Sequence, residues 1–529
     1  MKKKINILVG LVMTASMVVT ACTSTSTSTT ASGTQGGSTT QAGNTTQAGV
    51  ATDTITWGQG SDVTSFDPHT GKETYAVQVT NHIFDTLTQL DETGKVVGQI
   101  AESWTQPDNV TTIFKIRKGI KFHDGTELTA EDVKYSLDRA IASAAVSYIV
   151  NFIDTVKVDD PYTVTVKTKE AYAPILRNLA VPFSAIIPKA YAEKMKNEGK
   201  EFATKPIGSG PYKLVEWKQG DSTKLERFDE YYAGPAKTKN LVMKVIPEAA
   251  QRTIALETGE LDLVYDVQAN DVQKIKDNSN LVYYEADPLT CFYLAFNTKK
   301  APFDNKLVRQ AIRHAIDSQT IIDTILYGNG IPAGDLIAPK VFGYADDASY
   351  SYDPELAKKL LADAGYANGI NIKLSVNDAQ IRVEVSQAIA AMLQQVGINC
   401  EVEVTEFGKF IDSTSNGEHD MAYMGWITST LDADYTYFSL AHSTQAGRAG
   451  NRSFFNNSQA DELINKGRYT IDEAQRKQFY AQLEDILQEE SPYGPVFYTA
   501  ITVGASKQIQ GFVPDPIGYH KLENVTVAK

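Results

Sequence analysis

The chain has 529 residues, a formal net charge of −14, and Cys22, Cys291 and Cys400 as its only cysteines. The length suggests about three domains. The acidic balance argues against a nucleic-acid partner, which needs a basic face. The cysteines show no zinc-site spacing, and the seven histidines form no HExxH pattern.

Lys2, Lys3 and Lys4 precede an apolar run from Ile5 to Val19. The run is shorter than the roughly 20 residues of a spanning helix, so it predicts a signal peptide over residues 1–21. Val19-Thr20-Ala21-Cys22 resembles a bacterial lipobox. That resemblance implies cleavage before Cys22 and a lipid on its thiol. The alternative is an ordinary signal peptide with an incidental cysteine. Residues 22–53 are rich in Ser, Thr and Gly and lack aromatics. Such a segment cannot bury enough surface to offset its chain entropy, which predicts a disordered tether and a folded body starting near Thr54.

Farther along, Thr129-Ala-Glu-Asp132 opens a helix whose apolar face holds Val133, Leu137 and Ile141. Residues 162–166 (YTVTV) and 241–247 (LVMKVIP) read as strands. Asp353-Pro354 supplies an N-cap and a first-turn proline for a helix that Gly365 closes. Val385, Ile389, Met392, Leu393 and Val396 recur at helical spacing before Gly397. Ile398, Cys400, Val402 and Val404 then alternate with polar residues as a half-buried strand. Alternating helices and strands predict α/β layers. Cys291 and Cys400 can pair outside the cell or stay as two buried thiols. IGSGPYK (207–213) fits no phosphate loop, GxGxxG or GxSxG pattern. No catalytic constellation emerges, so the chain is expected not to be an enzyme.

Four stretches together resemble one family, the extracytoplasmic solute-binding proteins of the peptide/nickel class that serve ABC importers. They are IAESWTQPDNVTTIFKIRKGIKFHDGTELTAEDVKYSL (100–137), GSGPYKLVEW (208–217), FYLAFNTKKAPFDNKLVRQAIRHAID (292–317) and DPELAKKLLADAGY (353–366). The resemblance covers about residues 54–529. It implies a two-lobed periplasmic-binding-protein-like fold (class II) with an extra α/β subdomain on the first lobe. The first lobe is expected at 54–90, 207–290 and 495–529, the extra subdomain at 91–206, and the second lobe at 291–494. Crossings between lobes are expected near Asp287-Pro288 and near Ser491-Pro492-Tyr493. A ligand would lie between the lobes and close them.

The stretch GWITSTLDADYTYF (425–438) mixes aromatics, acids and hydroxyls. By resemblance, Gly425, Trp426 and Ile427 face the cleft and pair with an extended peptide through the backbone. The alternative packs Trp426 inside the second lobe. Many peptide-binding relatives carry GWxxD, whose Asp takes the ligand amine; Ser429 stands there in this chain. The run also resembles the glutathione-binding branch, which implies that Asp432 or Asp434 takes over the amine. The alternative makes either residue a helix N-cap. On the first lobe, Glu73, Thr74 and Tyr75 fall at contact positions. The ligand carboxylate is expected at Arg382, with Arg452 as second choice.

The expected function is therefore that of a lipid-anchored, monomeric binding protein. It would hand short peptides, glutathione-like ones included, to a permease without any cofactor or metal. The same fold could bind an oligosaccharide, a nickel complex or an opine, or act as a peptide-pheromone co-receptor. An extracytoplasmic hydrolase is a remote alternative. Replacing Cys22→Ala should release the protein into the medium or leave it unprocessed, as read by membrane fractionation and N-terminal mass. A variant still membrane-bound with an unchanged N-terminus would refute the lipobox reading.

Overall fold

The computed structural model describes residues 51–529 except 71–72, 92, 346–349, 448–449 and 529. The expected signal peptide, Cys22 and most of the tether lie outside the described residues. Three main sheets organise the rest. A seven-stranded sheet runs in the order Leu281–Glu285, Thr502–Ser506, Leu263–Tyr265, Thr54–Gln59, Asn240–Val245, Ser222–Arg227 and Tyr212–Lys218. Its central strand, Thr54–Gln59, is parallel to both neighbours and buries Ile55 and Trp57 completely. A strand enclosed on both faces and both edges needs this apolar content.

A four-stranded antiparallel sheet forms from Ala101–Asp108, Thr111–Ile116, Thr163–Thr168 and Ile153–Asp160. Helix Ala130–Ile141 packs on it through Val133 and Leu137, both fully buried. Its start is fixed as the sequence predicts: the Thr129 backbone N donates to Asp132 Oδ2 at 2.9 Å.

The third sheet, of six strands, runs Ile331–Pro332, Tyr493–Thr499, Thr290–Phe296, Met421–Ile427, Ile370–Asn377 and Ile398–Thr405. The last two are parallel and joined by helix Gln380–Gln395. Gly397 sits at φ +89°, the left-handed turn that ends that helix and releases the strand. Asp353 caps helix Pro354–Asp363 through Leu356 N at 2.9 Å.

Two short passages join the first and third sheets. One lies between Glu285 and Thr290. The other is Ala500-Ile501, later than the expected crossing near Pro492, because Tyr493–Thr499 pairs with Thr290–Phe296 along its whole length. The expected boundary at 495 thus falls inside a strand. The two passages hold each other: Ala286 N donates to Ile501 O at 3.0 Å, between the pairs Glu285–Thr502 and Thr290–Thr499. Cys291 is buried and Cys400 half-buried, and both are free thiols.

Several histidines are buried neutral. His82 is fully enclosed between Trp57 and Tyr212, and neither ring nitrogen has a hydrogen-bond partner among the described residues. Burial, with lesser effects from Lys521 and His520, pushes its pKa down to about 3. The unfolded chain binds this proton near pH 6.5, so stability held above that pH falls as the pH drops, by about 1.4 kcal/mol per unit. Replacing His82→Phe should make the pH dependence of urea unfolding shallower by about that slope between roughly pH 6.5 and 4.5. An unchanged slope would show that burial does not hold the ring neutral.

Candidate ligand-binding site

Strand Met421–Ile427 has two unequal edges. One pairs with Thr290–Phe296 over all seven residues, from Met421–Phe296 to Ile427–Thr290. The other pairs with Ile370–Asn377 only at Met421 and Ala422. Among the described residues, Tyr423 to Ile427 therefore pair with no strand on that side, which leaves an edge of the kind an extended partner can add to.

Gly425 sits at the middle of the open edge. A Cβ on it would come within 2.9 Å of the Phe292 ring and 3.3 Å of Arg382 Nη2, so no other residue fits without displacing them. Arg382 is half-buried in the first turn of helix Gln380–Gln395, its guanidinium 5.2 Å from the Phe292 ring centroid. Burial lowers its pKa, opposed only by the Tyr423 and Tyr293 phenols. No carboxylate among the described residues neutralises it, and a guanidinium stays charged in such surroundings.

Trp426 is half-buried and stacks on Tyr435 at 5.3 Å. Its indole N donates to Thr436 Oγ1 at 3.1 Å, and Thr436 is 2.7 Å from Thr428 Oγ1. Trp426 thus both packs on the second-lobe core and lines the strand end. Tyr435 also lies 6.4 Å from Tyr148 of the four-stranded region. Ser429 bonds the hydroxyls of Tyr435 and Tyr519, and burial raises both phenol pKa values.

The two aspartates are deeply committed. Arg476 Nη1 donates to Asp432 Oδ2 at 3.0 Å and Nη2 to Oδ1 at 2.6 Å. Asp432 also caps helix Ala433–Ala441, accepting from Asp434 N at 3.0 Å. These contacts favour the capping alternative for Asp432 over an ammonium contact. Asp434 accepts from Tyr172 at 3.0 Å and lies 3.6 Å from Arg468 Nη1. Burial raises its pKa against the pull of Arg468.

On the first lobe, Tyr75 is half-buried near the start of helix Thr74–Thr80, whereas Thr74 and Glu73 are exposed. Thr64 donates to Glu73 at 2.9 Å. Burial, helped by Asp266, pushes the Tyr75 phenol up to about 12, and its hydroxyl bonds Asp266. Asp266 adopts φ +58°, a left-handed backbone uncommon outside glycine, and is buried enough that its pKa rises. Arg452 is buried in the second lobe and donates to the Gly447 carbonyl. The spacing of residues gives no sign of Tyr148 or Tyr519, which meet Tyr435 and Ser429 only through folding, nor of Asp266, which meets Tyr75. The aromatic run at 435–438 was the one legible hint for Tyr435.

A partly open cavity of about 280 Å³ lies beside Ser429 and Leu431, lined also by Arg177, Gln89, Tyr519 and Lys521. Among the described residues, no group of three or more His, Cys, Asp or Glu could hold a metal, and no helix is long and apolar enough to cross a membrane.

Comparison with known proteins shows the family. Residues 95–448 match the model of the bacterial extracellular solute-binding proteins, family 5 (middle region). The chain belongs to this family. The glutathione-binding protein GsiB of Escherichia coli K12 is 30% identical over 470 residues, covering 86% of this chain and 91% of the relative. The dipeptide-binding protein of the same strain is 29% identical over 464 residues, covering 82% and 87%. The fold matches that of DppA from Helicobacter pylori, solved with the peptide STSA, at TM-score 0.80 and 28% identity, covering 90% of this chain and 98% of that one. A dipeptide-binding protein from Pseudoalteromonas, solved with Met-Leu, matches at TM-score 0.81 and 25% identity, covering 89% and 99%. Family 5 membership and the two-lobed fold rest on these matches together.

The Asp432–Arg476 pair makes a stability prediction. Removing one partner leaves a buried charge uncompensated, which costs about 3–5 kcal/mol. Asp432→Asn should therefore lower the urea-unfolding free energy by an amount in that range. A variant as stable as the wild type, with weakened ligand binding, would return Asp432 to the ligand site.

Proposed function

We propose that this family 5 protein captures short peptides in the groove between its lobes and delivers them to an ABC permease. The observation that carries the reading is the open Tyr423–Ile427 edge beside Arg382, a cation with no carboxylate partner among the described residues. Backbone pairing gives affinity with little dependence on side chains. The guanidinium supplies a fork for a terminal carboxylate. Tyr75, Trp426 and Tyr435 offer walls that suit varied side chains, with Thr74 at the groove margin. The relatives named for dipeptides and glutathione support the same class. The missing acid at Ser429 and the commitment of Asp432 point to ligands whose amine is held by water or by hydroxyls.

In this reading the protein is a monomer that acts outside the cytoplasm. The lipid on Cys22 and the Ser/Thr/Gly tether hold it at the membrane beside its permease; each buried methylene of an acyl chain contributes about 0.8 kcal/mol. The first lobe comprises the seven-stranded sheet, with the region around residues 91–206 as its extra subdomain. The second lobe is the six-stranded sheet and its helices.

A ligand that binds only the folded protein stabilises it by about 2.7 kcal/mol at a hundredfold excess over Kd. A mixed short-peptide library that includes glutathione should raise the melting temperature. Arg382→Gln should weaken free-carboxylate peptides at least about tenfold, in line with loss of a desolvated charge pair. C-terminally amidated peptides should bind wild type and variant alike. Stabilisation by oligosaccharides alone would overturn the peptide reading, and equal loss for both peptide forms would overturn the role of Arg382.

A further inference from the structure

The contacts between the four-stranded region and the second lobe do not all serve the groove. Tyr172 belongs to the four-stranded core: its ring stacks on Phe152 at 4.0 Å and 17°, and it is 2% exposed. Its hydroxyl leaves that core and donates to Asp434 Oδ2 of the second lobe at 3.0 Å. The next residue repeats the crossing, with Ala173 N donating to Arg468 O at 3.2 Å. Arg468 completes the joint. Its guanidinium lies 3.6 Å from the Phe438 ring centroid, 5.1 Å from that of Tyr172 and 3.6 Å from Asp434 Oδ1. A separate crossing comes from Arg177, whose Nη1 donates to Thr430 O at 3.4 Å and Gly94 O at 3.1 Å.

Two features set the Tyr172 joint apart from ordinary core packing. First, Tyr172 belongs to one hydrophobic core, whereas Asp434 and Arg468 stand on helices Ala433–Ala441 and Ser458–Tyr469, whose buried Ala433, Tyr437 and Ile464 belong to another, so the contact exists only while the two regions touch. Second, it is incompletely satisfied on the second-lobe side. Asp434 Oδ1 and Arg468 Nη1 are buried without a hydrogen bond, so Tyr172 is the one side chain hydrogen-bonded to this buried carboxylate among the described residues. A buried carboxylate is costly without a donor, and while the lobes touch the Tyr172 hydroxyl supplies the one it has, whereas water would do so once they part. Losing that hydroxyl therefore penalises the closed arrangement alone, independently of Arg382, Tyr75 and the open strand edge.

We propose that Tyr172, Asp434 and Arg468 form a latch that sets the open–closed balance, and through it ligand affinity, from outside the ligand groove. The proposal rests on the reading of that groove as the ligand site. Apparent affinity scales with the fraction of protein in the closed, binding-competent state, so weakening the latch raises Kd without touching a ligand contact. The effect belongs in dissociation, because a ligand leaves once the lobes part.

Tyr172→Phe is the test, since it keeps the stack on Phe152 and removes only the hydroxyl. Solution scattering of the peptide-free protein should give a larger radius of gyration for the variant than for the wild type. Saturation with the tetrapeptide Ser-Thr-Ser-Ala should bring both to the same radius. That peptide should leave the variant roughly tenfold faster, with little change in association rate. Asp434→Asn added to Tyr172→Phe should cause little further change in dissociation, because the pair acts as a unit. Equal peptide-free radii, or equal dissociation rates where the peptide binds, would overturn the latch. If Ser-Thr-Ser-Ala fails to bind the wild type, the proposed ligand class loses that member, and the peptide-free radii still decide the latch.

Discussion

Strand Met421–Ile427 loses its parallel neighbour after Ala422, and the working part of the molecule follows from that loss. A buried sheet satisfies every backbone group, whereas this one stops doing so at one edge, facing the first lobe. Unpaired strand edges are a hazard in a soluble protein because any extended chain can add to them. Here the edge is short, ends in a helix cap at Asp432, and is overhung by Arg382 and the aromatics around Trp426. Those features restrict what can add. On the proposed reading, the same edge that would invite aggregation on an open surface serves as a receptor for an extended ligand.

Charge is distributed in keeping with that use. The acids of the 425–438 segment are consumed internally, Asp432 by Arg476 and Asp434 by Tyr172 with Arg468 nearby. Arg382 is left without an internal carboxylate. On the proposed reading, Arg382 offers a positive group to an anionic or zwitterionic ligand although the chain as a whole is strongly acidic.

Local signals made much of the fold legible. Asp353-Pro354, Gly397 and Thr129 with Asp132 announce helix ends through interactions within a few residues, and each does so in the structure. The second crossing was misplaced for a physical reason. The resemblance implied a crossing near Ser491-Pro492-Tyr493, yet the chain continues there as a strand in which Pro495 sits opposite Tyr293, next to a register shift that accommodates its missing N–H. The acids were harder to read. Asp432 meets an arginine 44 residues away, and Asp434 a tyrosine 262 residues back. Spacing along the chain carries no trace of such partners, so a cap, an ion pair and a ligand contact look alike until the fold is known.

The two thiols of the folded body have a consequence for where such a protein can work. Burial raises the pKa of Cys291 and pushes that of Cys400 up to about 12. Since the thiolate is the reactive form, both are poor nucleophiles and poor targets for peroxide or disulfide exchange at neutral pH. Among the described residues no disulfide ties the folded body together, and at neutral pH both thiols stay largely in the protonated form that reacts poorly when the surroundings turn oxidising.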